Sequence, residues 1–172
     1  MWWGDIKSDA ERFCWEFRPL EGVGPLRFGM SHTEVVEVLG STPMFSGASY
    51  CGPLGWAVFS DLELRTLYQQ EGLLAGVSVR AGGGPQVMYR GTRLTGRRPS
   101  ELNPWLDEMA NMTQLHITSE GGPAFPELGL VLRGDAWGEY VRSRPLLVAA
   151  EWSEGCGDSA EGPVPAEEWD KY

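Results

Sequence analysis

The chain has 172 residues, 42% of them hydrophobic, which suits one domain with a substantial core and argues against two. Its 24 acidic against 14 basic side chains give a formal charge of −10, which excludes nucleic acid and an anionic membrane as natural partners and favours a basic one. No stretch approaches ~18 apolar residues and the first residues lack a basic run followed by an apolar one, so the expectation is a soluble, cytoplasmic protein.

Along the chain, Phe13, Trp15 and Phe17 alternate with Cys14, Glu16 and Arg18, which predicts a first strand with one apolar face over residues 12–18. Residues 19–25 then read as a loop leading to the best-defined unit of the sequence. Ser31 followed three residues later by Glu34 makes a capping box, with Met30 and Val35 placed as a hydrophobic staple. Val35, Val38 and Leu39 predict the buried stripe of a short helix that stops at Gly40. Residues 41–55, rich in glycine, serine and proline, read as a long mobile connection anchored by Met44, Phe45 and Tyr50. Strands follow at 56–59, 62–68 and 74–80. The turn at 70–72 makes the last two a hairpin, with Leu62, Leu64, Thr66 and Tyr68 facing Ala75, Val77 and Val79.

Residues 81–85 predict a flexible joint and 86–90 one more strand. A second helix opens either at Ser100 or at Asn103 and Pro104, and Leu102, Trp105, Leu106 and Met109 give it a buried stripe. Further strands fall at 115–118, 128–133 and 146–152. The order helix, then strands, thus occurs twice, which implies an α+β fold: an antiparallel sheet with two short helices on one face. Residues 1–152 form this domain. Residues 153–172 carry Glu154, Asp158, Glu161, Glu167, Glu168 and Asp170 against Lys171 alone, a net charge of −6 + 1 = −5, and read as an acidic flexible tail.

The motifs of catalysis are missing. The glycine-rich residues 22–29 ahead of Ser31 resemble a phosphate loop in outline, but Pro25 removes a donor and no lysine follows, so a tight turn is the better reading. Neither His32 nor His116 has a local nucleophile signature, and both read as solvent-facing. Cys14, Cys51 and Cys156 form no C-x-x-C pair, so they read as buried or idle thiols, with no metal and no cofactor expected. Among eight tryptophans, Trp15, Trp105 and Trp152 fall on apolar faces and read as core. Residues 134–140 read instead as a glycine-flanked loop between strands, where Trp137 and Tyr140 accompany Asp135 and Glu139. Rings supply contact area at low conformational entropy, and carboxylates steer a cationic partner.

The segment from Leu26 through Gly29, Met30 and Ser31 to Glu34, Val35, Leu39 and Gly40, followed by hairpin strands, resembles the opening of SmpA/OmlA-type modules. It is also similar to the tandem helix-plus-sheet arrangement of β-lactamase inhibitory proteins. This resemblance covers residues 24–80 and implies a small sheet-based protein-binding module. The functional expectation is therefore a non-enzymatic inhibitor of the immunity type. It would neutralise a basic toxin or enzyme by covering its active site with Asp135, Trp137, Glu139 and Tyr140, assisted by Glu154 and Asp158. The alternative is a small-molecule-binding domain with an apolar pocket near Tyr50, Trp56 and Tyr68.

Overall fold

The computed structural model describes residues 5–49, 52–69, 71–117, 122–137 and 140–153, with backbone alone at 45–49, 52–54, 137 and 140. After a turn of 3-10 helix at Asp9–Glu11, the first strand β1 (Cys14–Arg18) forms where the period-two pattern places it, with Trp15 and Phe17 buried. Cys14 is exposed on the opposite side of that strand, whereas Cys51 and Cys156 lie outside the described residues. The expected loop after β1 is instead a tight hairpin of β2 (Gly22–Val23) and β3 (Leu26–Arg27). Gly24 turns it at φ 54°, and a Cβ there would come within 2.5 Å of the Trp15 ring, so backbone and indole lie in direct contact.

The helix α1 (His32–Leu39) carries its full capping box: the Glu34 amide donates to Ser31 Oγ, the Ser31 amide donates to the Glu34 carboxylate, and Gly40 closes the end at φ 60°. Its buried side is Val35 with Val36 and Leu39, not Val38, which is 43% exposed because it falls outside the arc that meets the sheet. The expected mobile connection is also corrected. Residues 41–55 largely enter the sheet, as β4 (Phe45–Ser49) paired with β5 (Gly52–Phe59) across a register shift between Gly47 and Ser49. Small residues hid this hairpin, because a strand without bulky side chains leaves no alternation to read.

Next come β6 (Leu64–Tyr68) and β7 (Leu74–Val79). Leu64 pairs with Val79 and Thr66 with Val77 as the sequence suggests, but an irregularity after Leu67 sets Leu74, not Ala75, against Tyr68. The strand β8 (Gln86–Tyr89) runs parallel to β1 and turns back into β9 (Thr92–Arg93). The joint at 81–85 is no joint: residues 81–84 are buried, and Arg12 donates to the carbonyls of Ala81 (2.7 Å), Gly82 (3.0 Å) and Gly84 (2.8 Å).

The second helix α2 (Pro99–Met112) starts earlier than either predicted opening, with Pro99 in its first turn and Pro104 inside, and buries Leu102, Trp105 and Met109. The remaining strands are β10 (His116–Ile117), β11 (Pro123–Phe125), β12 (Leu130–Trp137) and β13 (Tyr140–Val148). Trp152 is buried as expected, though in a short helix α3 (Ala150–Ser153) and not in a strand.

Each of α1 and α2 is followed by four antiparallel strands, and the last strand of each set, β7 and β13, pair with one another. The result is an eight-stranded antiparallel sheet in the order β10-β11-β12-β13-β7-β6-β5-β4 beside a five-stranded sheet β3-β2-β1-β8-β9. Val35 of α1 and Leu102, Trp105 and Met109 of α2 share one core with Phe59, Val77, Leu130 and Leu147, so both helices cover the same face. The opposite face carries a smaller cluster of Leu67, Ala75, Val131, Leu146 and Val148 beneath Trp152. No helix among the described residues is long and apolar enough to cross a membrane.

The cap and the hairpin contact can be tested by urea unfolding. Ser31→Ala is expected to lower stability by about 1 kcal/mol. Gly24→Ala should lower it further, since both its φ and the Trp15 ring oppose a Cβ.

Candidate functional site

The residues singled out between 134 and 140 lie mostly in strands. Strands β12 and β13 pair from Leu130↔Leu147 out to Trp137↔Tyr140, while β11 reaches only Val131 and β7 only Leu146. From Leu132↔Pro145 outward the two strands therefore form an arm with no third strand of the sheet beside them among the described residues. Gly138 and Glu139 lie outside the described residues, as do Glu154 and Asp158. Of the side chains beside Asp135, Val141 is 48% exposed.

Asp135 is corrected from contact residue to internal tie. It is 4% exposed, its Oδ1 lies 3.0 Å from Arg144 Nε, and its Oδ2 accepts from the Ala81 amide at 2.9 Å. Arg144, 3% exposed, donates in turn to Ser78 Oγ at 2.7 Å. The opposite side of the arm is held at Ser143. Its hydroxyl donates to the Leu94 carbonyl (2.6 Å) and accepts from the Arg97 amide (2.9 Å). Its backbone exchanges two more bonds with Gly96 and Arg97. The root of the arm is thus bound on both faces. Because Ala81 also receives Arg12, the tie runs from the arm through the β7–β8 turn to the N-terminal segment.

The sequence reading missed the arginines. Alternation along β12 and β13 sets Arg133, Asp135, Arg142 and Arg144 on the sheet face opposite α1 and α2, and Arg65 and Ser78 share that face. Arg133 and Arg144 stand directly opposite in register, as do Asp135 and Arg142. Arg142 Nε is buried with no acceptor among the described residues. The spacing Arg133-x-Asp135 and Arg142-x-Arg144 was the available signal, and it becomes legible only if the strands are extended toward one another.

The residues of the apolar-pocket alternative do not converge. Tyr68 is fully buried in the core under the helices, whereas Trp56 pairs with Leu67 and packs against the cluster on the other face. The side chain of Tyr50 lies outside the described residues. A groove of about 520 Å³ does exist elsewhere, lined by Met88, Thr92, Arg93, Arg97, Glu101 and Leu102. Beside it, Asp9 pairs with Arg97 and lies 3.6 Å from Arg93. Burial alone would raise the Asp9 carboxyl, but hydrogen bonds from Gln86 and Arg97 and the charges of both arginines bring it below its ordinary value.

His116 is exposed as expected, whereas His32 is half-buried. Its Nδ1 lies 2.7 Å from Tyr68 Oη, which also accepts from Thr66 Oγ1 at 3.0 Å, and the two rings meet edge to face at 5.3 Å. The Tyr68 hydroxyl thus links Thr66 to His32 under the helix. Burial lowers the His32 pKa and pushes that of Tyr68 up to about 12.

What these residues define is an α+β protein built on an antiparallel sheet, with a clamped β-arm at one end and an arginine-rich face opposite its helices. Compared with models of known families, with curated proteins and with solved structures, the chain shows no match.

Two outcomes are expected from unfolding measurements. Arg144→Met should destabilise by about 3–5 kcal/mol by stranding a buried carboxylate, and combining it with Asp135→Leu should restore most of the loss. Because the folded pKa of His32 lies below the unfolded one, the unfolded chain binds a proton first as pH falls. The His32 contribution is then complete above about pH 6.5 and declines below it, so from about pH 7.5 to 5.5 wild type should lose more stability than His32→Gln.

Proposed function

We propose that this chain is a non-enzymatic protein-binding module, an inhibitor of the immunity type, that places the projecting end of the β12–β13 arm in the cleft of a basic toxin or enzyme. The observation that supports this reading is the clamp. An arm bound at its root through Asp135, Arg144 and Ser143 is already ordered before contact, so little entropy is lost on association. Trp137 and Tyr140 form the outermost described register pair of that arm, with Val141 exposed beside them. Aromatic side chains at the centre of a contact supply most of the energy in such complexes.

Charge and contact are divided in this reading. The formal charge of −10 draws a cationic partner toward the molecule as a whole. The arm itself carries more arginine than carboxylate, so it contributes shape and ring contact, while Glu34, Glu37, Asp107 and Glu108, exposed on the two helices, contribute to the field. Asp135 acts by holding the arm in place.

The test is capture of the partner from the cells that make this chain, followed by assay of the partner's own activity. The chain is expected to suppress that activity at one-to-one stoichiometry. Replacing both Trp137 and Tyr140 by Ala should weaken binding by about 3–4 kcal/mol, on the order of several hundredfold. Undiminished partner activity in a stable complex, or turnover of a substrate by the chain itself, would overturn the reading.

A further inference from the structure

The groove between the β8–β9 hairpin and α2 has a function to find, since the arm makes no use of it. Arg90 at φ 50° and Gly91 at φ 81° turn the hairpin in the left-handed region that a two-residue connection between strands needs. Its tip is tied to the far end of α2, where Arg90 Nη1 donates to Met112 Sδ at 3.8 Å. Hairpin and helix thereby frame a space of about 520 Å³, a size that suits a small ligand. Met88 and Leu102 supply its apolar part. Met88 stands directly opposite Arg93 in register, so thioether and guanidinium share one face of the hairpin.

The polar groups of the groove are held from behind. Gln86, 2% exposed, accepts from the Thr95 amide (2.8 Å) and donates both to the Thr95 carbonyl (3.0 Å) and to Asp9 Oδ1 (2.7 Å). Asp9, fixed in this way, takes Nη2 of Arg97 and leaves Nη1 over. Arg93 Nη1 is 3.6 Å from Asp9 Oδ2, near enough to be oriented and too far to be hydrogen-bonded. One carboxylate therefore aligns two guanidinium groups without using up their donors, of which each has five. Across the groove Glu101 gives Oε2 to the Arg98 amide at 2.7 Å, which leaves Oε1. Two cations and two carboxylates leave the lining without net charge, so a polyanion gains little there. A ligand with an acid group and a donor gains at both ends. We infer that this groove binds a small carboxylic acid of the amino acid or 2-hydroxy acid class. Its carboxylate accepts from Arg93 and Arg97, its ammonium or hydroxyl donates to Glu101, and its apolar side chain covers Met88 and Leu102.

Titration of the isotopically labelled full chain with L-phenylalanine and with 3-phenyllactate tests this through amide chemical shifts. Those of Gly91, Thr92 and Glu101 should move together and saturate with Kd of about 1 mM, while those of β12 stay in place. Shifts that fail to saturate with both acids, or that scatter over both sheets, overturn the inference. Arg93→Gln, at a side chain 57% exposed, should weaken both acids about tenfold without altering the far-ultraviolet spectrum. The donor-free 3-phenylpropionate should bind the unaltered chain about tenfold more weakly than L-phenylalanine, and Glu101→Gln should narrow that gap. Equal affinity of the three acids, or of Arg93→Gln and the unaltered chain, rejects the site. Replacing Trp137 and Tyr140 by Ala should leave these shifts unchanged, so the groove and the reading of the arm can fail separately.

Discussion

The pairing of β7 with β13 is the constraint on which the rest of the molecule depends. Three register pairs, Leu146↔Ser78, Leu147↔Val77 and Val148↔Gly76, join two four-stranded meanders into one sheet. The seam accounts for side chains that would otherwise look arbitrary. Gly76 is bare because Leu67 and Trp152 occupy the space above it. Ser78 is small and polar because it receives Arg144 from the neighbouring strand, and Leu147 and Val77 fill the core on the other side. Without this junction α1 and α2 would cover separate sheets and share no core.

The seam also explains why a polar network lies buried in so small a protein. Beyond Leu146 the strand β13 leaves β7, and its backbone on that side is taken up by Gly96 and Arg97 at Ser143. The ion pair of Asp135 and Arg144, the Ala81 amide and the Ser143 hydroxyl add side-chain bonds at the point of departure. A buried pair contributes little net stability over an apolar one, yet it fixes geometry, because its members are satisfied in one arrangement only. Rigidity at the root and exposure at the end are therefore two results of one design.

Much of the fold was legible where local chemistry and burial point the same way. The capping box at Ser31 and Glu34, the termination at Gly40, the core positions of Trp15, Trp105 and Trp152, and the repeated order of helix and strands are all written in side chains that announce their role. Legibility failed where the deciding information is not local. Residues 45–49 form a strand by pairing with residues 52–58 although they lack β-branched residues, and Val38 looks apolar but faces water because the sheet approaches from another angle. At the candidate site the misreading of Asp135 follows from stopping one strand at 133 and starting the next at 146. A carboxylate in a loop reads as available, whereas the same carboxylate in a strand has a side, and here that side holds Arg144. Trp56 and Tyr68, close in the sequence pattern, are separated by the thickness of the sheet.

The parallel pairing of β1 with β8 bears on how the chain assembles. Arg12 and the Gly84 carbonyl that it caps are 72 residues apart, and the whole first meander lies between them. Closing so long a loop early carries a large entropic penalty with few contacts to offset it. Strand β1 can pair locally with β2, which sets Val23 against Phe17, but its parallel neighbour β8 can join it only once β4 to β7 have condensed. The seam between β1 and β8 is thus among the last contacts of this sheet to close.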